Sequence, residues 1–186
     1  MMNEPGSVAG KSRALSLMWG AICALIAVPF IAMQVTDEVD WNGADFAVLT
    51  SLLVGGGGAF SAIARRQHEP AYLWATGIAI LAAILLFLVT GAVGIIGAET
   101  HDANLLYMVI LALFPVGALL CRLRAAAMAW LVLGIGVLQL AIGVLALIAG
   151  WGEEAAAWPW DILSATGVFC ALWLVSAMLF RRAGRT

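Results

Sequence analysis

The sequence predicts an all-α protein, a polytopic bundle of six transmembrane helices, and three observations carry that prediction. Hydrophobic side chains make up 64% of the 186 residues and charged ones only 11%, whereas soluble domains hold about 25% charged residues; mean hydropathy is +1.04. Six segments contain no Asp, Glu, Lys, Arg or His, and each is long enough to cross about 30 Å of hydrocarbon at roughly 1.5 Å per helical residue. The charges left between the segments are sorted by sign, which a wrong segmentation would scatter.

The first span, 14–35, follows Lys11 and Arg13. It imitates a secretory leader, but its apolar run exceeds the roughly 7 to 15 residues of a cleavable core and leads into Gln34 and the acidic TDEVD. A retained helix is expected, with residues 1–13 as an N-terminal tail. Pro29 removes a backbone donor and predicts a bend, as does Pro115 further on. The second span, 46–64, opens behind Asp45 and contains four consecutive glycines, each costing a helix about 1 kcal/mol against alanine in water. Ser51, Gly55, Gly58, Ala59 and Ala62 recur there at intervals of three or four, a stripe on which another helix could pack closely; a broken helix with exposed carbonyls is the sharper alternative. The third span covers 71–97, and the fourth, 103–121, follows Asp102. The fifth, 125–150, carries Gln139 near its middle, where an amide bonded to a neighbouring helix is expected. The sixth, 162–180, closes into the basic tail 181–186. Short joints make successive helices antiparallel hairpins and leave no room for a soluble domain.

Lys11, Arg13, Arg65, Arg66, Arg122, Arg124, Arg181, Arg182 and Arg185 are every basic residue of the chain, and all fall at one end of the spans. The positive-inside rule then places both termini in the cytoplasm. The opposite end collects every acid except Glu4 and Glu69. Tryptophan fits the same map: Trp41, Trp151, Trp158 and Trp160 fall at the acidic surface, and Trp19, Trp74, Trp130 and Trp173 towards the basic one, as amphipathic rings at headgroup level should. Asp45, Asp102 and Asp161 each precede an arginine by 20 residues. A hairpin repeat would produce that interval, but bilayer thickness and the helix dipole account for it more simply.

One cluster invites a functional reading. Asp37, Glu38, Asp40 and Asp45 lie in the first acidic turn, and Glu99, His101 and Asp102 in the second. If the turns meet, carboxylates and one imidazole would converge in the headgroup zone as a perch for a divalent cation; helix caps and solvated turn residues explain the same set. Cys23, Cys121 and Cys170 have no metal-ligand spacing and read as packing residues. The absence of charge from every span argues against proton-coupled transport, and no metalloprotease, phosphate-loop or haem signature is present.

At TDEVDWNGADF, AVGIIGAETHDANLLY and CALWLVSAMLFRR the chain resembles a family of small uncharacterised bacterial inner-membrane proteins, along nearly its whole length. The resemblance implies the fold class and the compartment and brings no activity with it. The function expected is that of a noncatalytic integral membrane protein without a cofactor, an accessory or structural component of a membrane assembly. Its partners would be the lipid bilayer and a second copy or another membrane protein, not nucleic acid. The rivals are a small channel or carrier for a neutral solute or cation, and a metal-dependent membrane enzyme working at the acidic surface.

Overall fold

The computed structural model describes residues 5–36 and 41–185, which are helical apart from turns and contain no strand. Six helices among them are long and apolar enough to cross a membrane. Their exposed faces carry Leu81, Val109, Val137, Leu140 and Val168, a surface that water would not tolerate over such an extent and that hydrocarbon requires. The chain is a multi-pass membrane protein. It divides into a unit ending at Arg66 and a unit beginning at Gln67.

The first unit is a hairpin of α1 (Pro5–Val35) and α2 (Gly43–Arg66). α1 is helical from Pro5, ahead of the apolar run, and Pro29 stands inside it without ending it. α2 begins on a reciprocal cap. Asn42 Oδ1 accepts from the amides of Ala44 and Asp45 at 2.7 and 3.3 Å, while Asp45 Oδ2 accepts from the Asn42 amide at 2.9 Å. Trp41 packs edge-on against Phe46 with ring centroids 5.5 Å apart, which sets the entry angle of the chain as a hydrophobic staple does. The helix then runs unbroken through all four glycines. Of these, Gly57 makes the close approach: a Cβ there would lie 2.5 Å from Ile22 Cδ1 of α1. One turn further, Trp19 Nε1 donates to Ser61 Oγ at 3.2 Å. The stripe singled out from the sequence lies beside this contact. Ser51, Gly55, Ala59 and Ala62 are exposed and Gly58 is half-buried, and a Cβ on Gly55 or Gly58 would meet nothing within 4 Å.

The second unit contains α3 (Pro70–Ala92), α4 (Leu105–Leu120), α5 (Ala125–Ile148) and α6 (Trp160–Ala183). Pro70 sits at the first helical position of α3 behind an extended Glu69, the place where a missing N–H costs nothing. α6 is the central element, packing most extensively on α5 and α3. Its buried face presents Phe169, Trp173, Ser176 and Phe180. Ser176 Oγ donates to the Ala75 carbonyl at 2.8 Å, and Phe180 stacks edge-on with Tyr72 at 5.0 Å. α5 meets α6 through small residues: a Cβ on Gly136 would lie 3.2 Å from Trp173 Cβ, and Gly143 faces the Thr166 hydroxyl. Between them Gln139, fully buried, accepts from Trp173 Nε1 at 3.1 Å, the interhelical amide bond expected of it. Such bonds contribute about 1 kcal/mol each in a bilayer, so most of the association comes from close packing. α4 continues through Pro115 and leans on α5 where Gly117 receives Leu131.

Among the helix C-termini, that of α3 departs most from the hydropathy reading. α3 stops at Ala92 instead of continuing to 97, because Gly94 and Gly97 take φ of +80° and +63° and the chain curls back as a loop. The residues Val93 to Gly97 are as apolar as the helix before them, and hydropathy records burial without recording backbone direction. At the other end of the unit, α4 closes through Arg122 and Leu123, both left-handed with φ of 50° and 55°. Tyr72 Oη donates to the Leu123 carbonyl at 2.7 Å and holds this joint. The three Asp-to-Arg intervals also resolve into unlike pieces: Asp45 completes a cap, Asp102 opens a 3-10 turn and Asp161 accepts from the amide of its own successor, Ile162, at 2.7 Å. The shared spacing is met by three different local structures.

Candidate functional site at the acidic loops

The conspicuous stretch between α3 and α4 folds around one side chain. Asn104 is 4% exposed, and its amide uses both ends. Oδ1 accepts from the Ile95 and Ile96 amides at 3.1 and 3.0 Å, and Nδ2 donates to the Ile96 and Ala98 carbonyls at 3.2 and 2.9 Å. These are backbone groups that left the helix ladder when α3 ended and would otherwise be orphaned in a dry interior. With the amides secured, Ile95 and Ile96 turn their side chains inward and are buried. Gly94 allows the reversal. A Cβ there would stand 2.7 Å from both the Ala98 carbonyl carbon and the Glu99 nitrogen.

A second loop, 149–159, lies against the first. Gly150 and Gly152 are left-handed with φ of 68° and 78°, and the Trp151 amide bonds back to the Ala146 carbonyl at 2.9 Å. Gly152 meets Gly97 backbone to backbone: a Cβ on Gly152 would lie 2.7 Å from the Gly97 nitrogen and 3.1 Å from its Cα. The loops enclose an open cavity of about 540 Å³ whose polar lining includes Thr100, His101, Glu153 and Glu154.

His101 is half-buried at the rim and caps the 3-10 turn Asp102–Asn104, its Nδ1 accepting from the Ala103 amide at 3.2 Å. That bond assigns the neutral ring a proton on Nε2, so the nitrogen left over is a donor. A metal at Nε2 would require the other tautomer and the loss of the cap. The role of cap expected of Asp102 therefore belongs to His101, while Asp102 adds negative charge to the first turn.

The residues gathered from the sequence as a cation perch are distributed as follows. Asp37, Glu38 and Asp40 lie outside the described residues. Asp45 belongs to the hairpin unit and is engaged in its cap. Glu99 and Asp102 are exposed on the first loop of the second unit. Among the described residues no three His, Cys, Asp or Glu side chains gather in a way that could hold a metal ion. The three cysteines are free thiols, and Cys170 Sγ lies 3.5 Å from the Gly136 carbonyl.

The sequence reading passed over Gly152 and left Asn104 without a role. Asn104 had a visible signal, a polar amide a few residues beyond two closely spaced glycines at the start of an apolar run. The cap of α2 was also readable, since Trp41, Asn42, Asp45 and Phe46 occupy the staple and box positions. No protein-family model matches the chain, and comparison with curated proteins and with solved structures finds no similar one.

Proposed function

We propose that the chain is a noncatalytic multi-pass protein of the bacterial inner membrane that serves as an accessory or structural component of a membrane assembly, offering its acidic loops as a rigid face to a partner. The observation that carries this reading is the Asn104 lock. Four hydrogen bonds from one buried amide fix the first loop, and the Gly97–Gly152 contact fixes the second against it. A preorganised surface forfeits little conformational entropy when a partner binds. The groups in this stretch with chemistry to offer are spent on architecture, His101 as a cap and Asn104 as a strut, while Glu99, Glu153 and Glu154 are exposed and free to meet cationic groups.

Purification from native membranes in a mild detergent tests the reading: a defined partner or homo-oligomer should co-elute, and Glu153→Lys with Glu154→Lys should release it without unfolding the chain. A solitary monomer under cross-linking conditions overturns it. A second reading, a carrier for a small neutral solute, has support of its own in the second unit. The Thr90 hydroxyl and the Gln139 Nε2 are buried without a hydrogen-bond partner, the Tyr107 and Thr166 hydroxyls face each other in the same unit, and a polar solute could exchange bonds with this set. Flux in proteoliposomes that falls with Tyr107→Phe and Thr166→Val would favour the carrier.

A further inference from the structure

The outward face of α6 changes character along its length. Leu174, Val175 and Met178 are exposed, as hydrocarbon contact demands. Arg181, Arg182 and Arg185 follow at three, four and seven residues beyond Met178, positions that return to the same side of a helix. The turn continues past the end of α6, with the Arg185 amide bonded to the Arg182 carbonyl at 3.1 Å. Met178 and the three arginines line a cleft of about 500 Å³. Beside it, Gly184 lies close to the start of α5, where an added Cβ would stand 3.6 Å from Ala125 Cβ. Among the described residues of this unit, Glu69 is the only carboxylate side chain at the arginine end; Glu99, Asp102, Glu153, Glu154 and Asp161 all lie at the other ends of the helices.

We propose that this face is a binding site for an anionic phospholipid, with the phosphate held by Arg181, Arg182 and Arg185 and the acyl chains lying along Met178, Val175 and Leu174. Guanidinium groups present paired N–H donors that match phosphate oxygens, and no nearby cluster of carboxylates competes for them. Charge alone would take free phosphate equally well. The apolar ridge leading into the arginines selects an amphiphile, because it meets the hydrocarbon where the cleft meets the headgroup level. A zwitterionic lipid fits the ridge but brings its own cation to the arginines.

Native mass spectrometry of the full chain released from detergent tests the site, with dioleoyl phosphatidylglycerol and dioleoyl phosphatidylcholine at equal concentration. The anionic lipid should be retained roughly tenfold over the zwitterionic one, and each arginine changed to glutamine should lower retention about fivefold. Replacing all three by lysine should keep only part of the preference, because the charge survives and the paired donors do not, and inorganic phosphate at the lipid concentration should leave the lipid bound. Equal retention of the two lipids overturns the proposal. So does displacement by inorganic phosphate, which assigns the cleft to a free anion, or an equal loss in Arg122→Gln with Arg124→Gln, which makes the attraction diffuse. If the variants within the helix, Arg181→Gln and Arg182→Gln, fail to fold, Arg185→Gln, beyond the helix end, decides: a fivefold fall supports the site and unchanged retention refutes it.

Discussion

Replacing Asn104 by leucine would leave the buried Ile95 and Ile96 amides and Ile96 carbonyl, and the part-buried Ala98 carbonyl, to find new partners. Unsatisfied buried groups cost about 1–3 kcal/mol each, and partial rearrangement of the loop should hold the total near 3 kcal/mol; a thermal melt in detergent measures it. Asn104→Asp is the more discriminating change. It keeps an acceptor for the two amides but sets a carboxylate oxygen against the Ile96 and Ala98 carbonyls, so it should also destabilise, and more as pH rises and the acid ionises. If Asn104→Asp melts like the wild type at every pH, the donor half of the lock carries no weight. Gly152→Ala should cost about 2 kcal/mol, because the left-handed backbone and the Gly97 contact both resist a Cβ. These residues show why the site was only partly legible. Acids and an imidazole attract notice by their chemistry; of those described, Asp45 and His101 serve in caps, and Glu99 and Asp102 are exposed. An asparagine and two glycines matter through backbone geometry, which a sequence states only as a residue type found in any turn.

Among elements, α5 offers the sharpest test of how the second unit is held together. Gly134 and Gly143 stand on the same helix, but a Cβ on Gly134 meets nothing within 4 Å whereas one on Gly143 runs into the Thr166 side chain. Gly134→Ala should be neutral or stabilising by up to about 1 kcal/mol. Gly143→Ala should destabilise by about 1–3 kcal/mol. Adding Thr166→Ala should recover most of that loss, since it removes the hydroxyl and methyl that the new Cβ strikes; a double-mutant cycle on melting temperature reads the coupling directly. In the run of glycines in α2, Gly57 makes a tight contact, while the more extensive helix pairing uses isolated glycines in α5. Number and adjacency of glycines do not by themselves say which one meets a neighbour; the facing residue does. Helix existence was readable throughout, because a span must close its own hydrogen bonds in hydrocarbon and hydropathy measures that need. The end of α3 was not, because burial continued after the helix had stopped.

At the scale of the whole molecule the charge map is the strongest statement in the sequence, and it makes an orientation prediction. The arginines fall at one end of the spans and the acidic loops at the other, so a chain inserted by the positive-inside rule carries the acidic loops to the periplasm. In a background where Cys23, Cys121 and Cys170 are replaced by alanine, a cysteine introduced at Thr100 should react with a membrane-impermeant maleimide in intact cells. One introduced at His68 should react only after the membrane is broken. Both positions are exposed, so a difference in labelling reports the side of the membrane and not burial. The opposite pattern would place the acidic face in the cytoplasm and remove the periplasmic partner from consideration. Labelling of both sites in intact cells would mean that the chain inserts both ways round. Neither outcome would disturb the Asn104 lock or the α6 cleft, whose geometry does not depend on which leaflet each one meets.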